Sequence, residues 1–472
     1  MTSAAFAMLQ EDAGAAREYH EATKHRPGEL TQRRLIDVEL IPRQYKRYLN
    51  LPFLRLPPPE PARGGRLTLP ALSFLLHYSG GVLHRRIVNG REVQFRAASC
   101  TGALYHIELY VVCGAIDELR AGVYHFDAPA GSLVSLRAGD YRAVVAEAAG
   151  SLDADAEAFV VMTSTFWRNA WRYEERAYRH AFWDSGTIAA NLLGLAGTRD
   201  LTPRLHAGFI DDAVNRLLGV DSRREAATCI VALGSGALHA GAPDVEEVAE
   251  ETEPLSKAEI EYPLIWRTHE ALNLPHTPAL RHWLEAAPGR PQEAPVVSGA
   301  ALEDVIEQRG SARHFKDAPI TRPQLASLIE AAVRPIAADF PALAQTFVIV
   351  NNVEGLPAGT YRFDGEAQRL PRLKRDNFRG RAAHVALDQP AAGEAAVNLY
   401  FVARLEEVLG TLGERGYRAA QLEGGVRGGR VYLKATELGL RATGLTFYDD
   451  EVTQLFDEPE DTAVLFLIVV GR

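Results

Sequence analysis

Arg309-Gly-Ser311-Ala-Arg313 stands early in the second half of this 472-residue chain. Two guanidinium groups and a hydroxyl within five residues can close on one small anion. Arginine suits phosphate because its planar fork donates two parallel hydrogen bonds. Alone the pattern is also that of a solvated basic turn, so its meaning depends on what accompanies it. Far upstream runs "FRAASCTGALYHIELYV" (Phe95–Val111), small and polar before it enters a strand pattern. Gly102 there allows backbone to approach a flat ligand closely.

These two stretches lie in two copies of one domain. "ERAYRHAFWDSG" from Glu175 returns as "ERGYRAAQLEGG" from Glu414, 239 positions later (414 − 175). "DELRAGVYHFD" returns as "EGLPAGTYRFD", with Gly122 and Gly359 237 apart. "AGFIDDAVNRLLG" returns as "LTFYDDEVTQLFD", and each copy closes on an apolar run, "CIVALG" and "LFLIVVG". Ordered matches at nearly constant offset mark a domain duplicated whole, since the period far exceeds a solenoid unit.

The elements that must hold these residues follow from local pattern. "VVCGAIDELRAGVYHFD" and "FVIVNNVEGLPAGTYRFD" read as strand, glycine-containing turn, strand. "DSGTIAANLLGLAG" and "EGGVRGGRVYLKATELG" have helical apolar spacing, and the terminal runs read as strands buried on both faces. The expected fold class is α+β: two tandem domains, each a central mixed sheet packed by helices. The expected boundaries are 1–242 for the first domain with an N-terminal extension, 243–296 for a linker and 297–472 for the second. Acidic "APDVEEVAEETEPLSKAEIEYP" and Pro/Gly-rich "AAPGRPQEAPVVSG" supply the linker signals.

Bulk composition narrows the function. With 47% apolar and 24% charged residues the chain is globular, and its net charge of −10 opposes bulk nucleic-acid binding. No apolar run approaches a membrane span, and the N-terminus lacks signal-peptide character, so the expected setting is the cytoplasm. Cys100, Cys113 and Cys229 are widely spaced, which indicates neither a disulfide framework nor a metal site.

The copies differ in ways that matter. The first copy has "LRLPPPEPARGG" where Arg-x-Ser-x-Arg stands in the second. The second copy is shorter: Leu72 to Gly122 spans 50 residues (122 − 72), Leu325 to Gly359 only 34 (359 − 325). The missing stretch is read as the one holding Phe95–Val111.

Taken together, "RGSARHF", "RAASCTGALYHIELYVV", "AGVYHFD", "WRYEERAYRH" and "ATGLTFYDDEV" resemble the flavin-dependent nitroreductase fold. With "EYHEATKHRP" and "PRQYKRYLNLPFLRLPP" they are similar to its SagB/ThcOx-type dehydrogenases, which oxidise azoline rings in modified peptides. The resemblance implies FMN at the interface of two like domains. It places phosphate and ribityl on Arg309, Ser311 and Arg313, and a loop of Ser99, Cys100, Thr101, Gly102 and Ala103 against the flavin from the other copy. It sets Thr443, Gly444 and Leu445 along the ring edge. One composite site per chain is expected, in an intramolecular pseudo-dimer.

The family's catalytic Lys-Tyr pair falls at Arg172-Tyr173 and is lost at Thr411-Leu412. A guanidinium stays protonated, so Tyr173 is the expected proton acceptor, acidified by Arg172. Cys100 departs from the family's loop and is read as packing. Tyr178-Arg179, Tyr417-Arg418, Asp184 and Glu423 occur in both copies and are read as structural, bridging helix to sheet. Asp211 and Asp449 are read as helix N-caps. His180, His206 and His314 show no catalytic partner. The implied activity is dehydrogenation of an azoline-like heterocycle in a peptide or small molecule, with a peptide-modifying complex as partner. An NAD(P)H-dependent nitro or quinone reductase and a flavin-free scaffold are the alternatives. No Gly-x-Gly-x-x-Gly supports a tightly held dinucleotide.

Overall fold

The structure is a computed structural model that describes residues 14–28, 36–88, 90–237, 239–248, 250–287 and 301–472. Most of "AAPGRPQEAPVVSG" lies outside the described residues. The strands, in chain order, are β1 Phe53–Arg55, β2 Val82–Val88, β3 Arg91–Arg96, β4 Ile107–Cys113 and β5 Gly122–Asp127. They continue as β6 Ser132–Ala138, β7 Ala158–Thr165, β8 Arg204–His206, β9 Glu225–Leu233 and β10 Gln345–Val350. The last are β11 Gly359–Arg362, β12 Arg372–Lys374, β13 Val397–Arg404, β14 Arg441–Leu445 and β15 Thr462–Gly471.

Two sheets carry the two copies. The first has strand order β1-β6-β5-β4-β7-β9-β8 and the second β12-β11-β10-β13-β15-β14. Leaving out β1, the orders are the same, so the duplication seen in sequence is a duplication of topology. The named strands pair antiparallel. Parallel pairing enters at the edges, through Leu205↔Ala338 and Ser311↔Ala442, and gives the sheets their mixed character. The continuous apolar runs become β9 and β15, buried along their whole length.

The extra residues of the first copy form the β2–β3 hairpin. Cys113 and Val350 occupy equivalent places, each pairing with the first residue of the next strand, Gly122 and Gly359. Counting back twelve residues (113 − 101; 350 − 338) sets Thr101 against Ala338. Ser99–Ala103 therefore has a counterpart in the second copy, Ile336–Phe340. This corrects the expectation that the second copy had lost that stretch.

The halves meet on two long helices, Ala177–Gly197 and Gly416–Glu437, buried over nearly their full length. The repeated glycines are where they cross. A Cβ on Gly186 would lie 2.6 Å from Val426 N and 2.7 Å from Gly425 Cα, and one on Gly425 only 2.4 Å from Trp183 O. Backbone meets backbone there, which no larger residue permits.

Each long helix also sends an arginine pair into the other half. Arg176 and Arg179 reach Asp449 at 2.9 and 2.6 Å; Arg415 and Arg418 both reach Asp211 at 2.7 Å. All six side chains are buried. Asp211 and Asp449 begin short helices but cap neither with their side chains. Their carboxylates also accept the Leu274 and His25 amides, at 3.0 and 2.9 Å. The capping expectation thus gives way to a reciprocal clamp between copies. The demand of four buried guanidiniums outweighs that of local amides.

His25 follows the helix Ala15–Ala22, and Leu274 follows Pro263–Ala271. "YHEA" in the first helix matches "THEA" in the second, at offset 249 (269 − 20). The His20 and His269 carbonyls accept from Arg179 and Arg418 respectively. Two helices, Pro263–Ala271 and Thr277–Ala286, thus lie inside the stretch read as linker. Among the described residues no helix is long and apolar enough to cross a membrane.

Candidate active site

The seam that holds the predicted residues is built from both copies. Arg309 follows the helix Leu302–Gln308 and reaches across to the first copy, donating from Nε to the Ala97 carbonyl at 3.0 Å and from Nη2 to that of Arg96 at 3.4 Å. Its guanidinium lies 5.6 Å from the centre of the Tyr432 ring. Tyr432 was not singled out from sequence. Its hydroxyl accepts the Gly444 amide at 2.5 Å and lies 3.2 Å from Ser311 Oγ, so one phenol ties the arginine-serine segment to β14. Ala312 N donates to Ala442 O at 2.9 Å, fixing that segment along the strand edge. Ser311 and Arg313 are exposed.

The loop of the first copy is pinned from beneath. Asp184, on the helix Ala177–Gly197, accepts Thr101 N at 2.9 Å, Thr101 Oγ1 at 3.0 Å and the Cys100 thiol at 3.1 Å. His106 Nε2 lies 2.9 Å from the same carboxylate, and its Nδ1 2.8 Å from Ser164 Oγ. Ser99 O accepts from Thr187 Oγ1 at 2.8 Å. The equivalent Glu423 accepts Leu343 N and Ala344 N at 2.7 and 2.9 Å. In both copies the repeated acid therefore holds the loop that leads into the central strand, a sharper role than bridging helix to sheet. Donor atoms of Cys100, His106 and Asp184 all lie within 4.8 Å of one another, a grouping that spacing alone did not reveal. Protein donors already engage both Asp184 oxygens.

Burial, then Asp184, pushes the Cys100 thiol well above its ordinary range, and burial pushes Cys113 and Cys229 up to about 12. None of the three is poised as a thiolate. Ellman's reagent at pH 8 is expected to leave native protein essentially unlabelled and to react with three thiols after denaturation. Rapid labelling of one thiol in native protein would contradict this environment.

Tyr173 joins the loop from the helix Phe166–Tyr173. Gly102 has φ +63°, and a Cβ there would stand 2.6 Å from the Tyr173 hydroxyl oxygen. The tyrosine thus packs against the glycine picked out for close approach. Arg172 is exposed, its guanidinium 5.5 Å from the Tyr173 ring centre. His180 packs edge-on to Tyr173 with centroids 4.8 Å apart and has a partner after all, Asn169 Oδ1, 2.8 Å from Nδ1. Burial, then Arg176, His106, His25 and Arg179, depress its pKa well below the usual histidine value. His206 also has a partner, Asp153, at 2.6 Å.

The two seams can be compared directly. Leu233 and Val470 pair with the equivalent residues Ala158 and Val397. Val231 and Ile468 therefore correspond (233 − 231; 470 − 468), and with them their partners Leu205 and Gly444. In the second seam Leu205 is bonded straight to the facing loop: Leu205 N donates to Ala337 O at 2.8 Å and Asp339 N to Leu205 O at 3.1 Å. Asp339 then takes Ala207 N and Gly208 N, each at 2.8 Å. In the first seam the corresponding pair is Thr101 and Gly444. Among the described residues no hydrogen bond joins Ser99–Ala103 to Thr443–Leu445. One seam is stitched shut; the other is not. On its Asp184 side the loop closes on a cavity of only about 10 Å³.

Comparisons with known proteins agree with this architecture. The Nitroreductase family model matches residues 93–235 and 306–472, one segment in each copy. The curated protein "Putative nitroreductase MJ1384" of Methanocaldococcus jannaschii is 29% identical over 192 residues, 38% of this chain and 95% of its own. A crystal structure described in the same terms, from Anabaena variabilis, covers 97% of this chain and 99% of its own, with 27% identity and a TM-score of 0.82. Two family segments, on two sheets of one topology, establish that the chain belongs to the nitroreductase family.

Proposed function

We propose that the chain is an FMN-dependent oxidoreductase with a single flavin site in the open seam. The observation that carries this is the difference between the seams: Leu205 is bonded to its facing loop, whereas the equivalent Gly444 is not. The residues fit the cofactor. Ser311 and Arg313 are exposed for an anion beside the half-buried Arg309, and Gly102 and Gly444 leave backbone bare on the two walls. FMN, when bound, would supply a two-electron acceptor in the seam. Arg309, Ser311 and Arg313 would hold its phosphate end, with Ser99–Ala103 and Thr443–Leu445 along the ring.

The chain's own chemistry is then proton handling and orientation. Tyr173 stands against Gly102 at the loop and is the group we assign to take a substrate proton. Arg172 cannot accept one and acts by its charge beside the phenol. Asp184 keeps the loop in place, and Tyr432 fixes Ser311 relative to Gly444. The substrate class we favour is an azoline-like heterocycle in a peptide or peptide-like molecule, with a peptide-modifying complex as partner.

The test is to release and count the chromophore. One FMN per chain is expected, with Arg309→Ala losing at least tenfold in affinity for added FMN. Two flavins per chain, or none after reconstitution, would overturn the single-seam reading. Tyr173→Phe should keep the flavin and lose about 10²-fold or more in substrate oxidation, the usual scale for removing a general acid–base group.

A further inference from the structure

The acid that holds each loop is compensated differently in the two copies. Glu423 pairs with Arg427 at 2.7 Å, four residues along its own helix. Ile188 stands where Arg427 does (427 − 188 = 239, as 423 − 184 = 239). Among the described residues no lysine or arginine pairs with Asp184, although only about 4% of it is exposed. A buried carboxylate without a cation is costly, so its charge calls for another partner. Arg96 lines the adjoining small cavity but donates from Nε and Nη1 to the Gly80 and Ile107 carbonyls.

What the first copy has instead is a pair of soft ligands. Cys100 Sγ and His106 Nε2 both lie on Asp184 Oδ2, at 3.1 and 2.9 Å. Their counterparts are Ala337 and Leu343 (337 − 100 = 237; 343 − 106 = 237), so holding a loop requires neither. Each ligand also has a supporting partner. Thr101 N and Oγ1 fix the carboxylate through Oδ1 at 3.1 and 3.0 Å, and Tyr105 N donates to Cys100 Sγ at 3.1 Å. Ser164 Oγ lies 2.8 Å from His106 Nδ1, and Ala403 takes its place in the second copy (403 − 164 = 239). Hydrogen bonds of this kind fix the tautomer and direction of metal ligands. Tetrahedral zinc holds such ligands at about 2.0–2.3 Å, hence roughly 3.4 Å apart, so the two contacts on Oδ2 need to open by only a few tenths of an ångström. The cavity of about 10 Å³ beside Cys100 and Asp184 is room for about one water, the fourth ligand of a three-residue zinc site.

We propose that Cys100, His106 and Asp184 bind one zinc-type ion, which supplies the charge that Arg427 supplies in the other copy. Thiolate and imidazole select this class of metal over magnesium or calcium. On binding, the thiol proton leaves to solvent. His106 ligates through Nε2 and keeps its proton on Nδ1, donated to Ser164 Oγ. The thiolate and carboxylate together balance the two charges of the ion. Residues 100 and 106 flank Gly102, so the ion clamps both sides of the loop to the helix Ala177–Gly197. The site does not depend on the flavin reading.

The test is equilibrium dialysis of the full, tag-free chain, first treated with chelator, against zinc sulfate with magnesium in excess. One zinc per chain is expected, with a raised melting temperature. Cys100→Ser and His106→Asn should each weaken binding by about tenfold or more, while Cys229→Ser should leave it unchanged. Cobalt in place of zinc should give a thiolate charge-transfer absorption in the wild type and in Cys229→Ser, and none in Cys100→Ser. Flavin counted on the same samples separates the two readings: zinc bound without flavin upholds this one and overturns the other. No retained zinc, displacement by magnesium, wild-type affinity in both ligand variants, or cobalt absorption persisting in Cys100→Ser would overturn the proposal.

Discussion

Replacing Asp449 with alanine is expected to lower global stability by about 3–5 kcal/mol, measured by chemical denaturation at pH 7, because it strands buried charge. Arg176 and Arg179 would lose their shared acceptor, and Arg176 already has Nε and Nη2 without partners. The pH dependence has a definite sign. Burial opposes ionisation of Asp449, but Arg176 and Arg179 outweigh it and hold the carboxyl far below the usual range. A depressed folded pKa contributes stability that is present above the unfolded value, near 3.9, and is lost as pH falls through the folded one. The wild type should therefore weaken below about pH 4, and Asp449→Ala should have a shallower slope there, the remainder coming from other depressed carboxylates such as Glu108. An alanine variant with unchanged midpoint at pH 7 would mean the clamp contributes little.

Gly425→Ala is the second large effect. The added methyl would stand 2.4 Å from Trp183 O and 2.8 Å from its Cα, atoms of the facing helix backbone that cannot rotate away. Overpacking on this scale costs about 3 kcal/mol and pushes the long helices apart. Since those helices carry Asp184 to the loop and Tyr432 to the strand, affinity for the proposed flavin should fall with stability. Gly410→Ala is the control. It is helical and exposed, with nothing within 4 Å of the added carbon, so it should be neutral or stabilising by about 0.5–1 kcal/mol. Equal melting temperatures for Gly425→Ala and wild type would refute the close crossing.

Much of this was legible in sequence because duplication writes itself twice. The paired glycines, the two hairpins and the buried terminal strands all recur at nearly one offset, and the structure turns them into two sheets of one order. What stayed hidden were contacts with no local signature. Asp449 and Arg179 are 270 residues apart, so nothing near either reports the pairing, and an aspartate opening a helix looks like a cap. Tyr432 reads as one more apolar helix position until its hydroxyl is seen on Gly444. The equivalence of Ser99–Ala103 with Ile336–Phe340 was masked by the hairpin between two alignable segments, which made an insertion look like a lost loop. "YHEA" and "THEA" were too short to register until both were seen beside an arginine from the opposite copy.

The stitched seam has a consequence for anyone redesigning this molecule. A cleft with no guest has become a rivet: Ala337–Asp339 now fastens one half to the rim of the other, and Asp339 anchors the next two amides as well. Building the proposed flavin site into this seam by grafting arginines alone would fail, because the fastening itself would have to be unpicked. The stiffness it lends would then have to come from elsewhere.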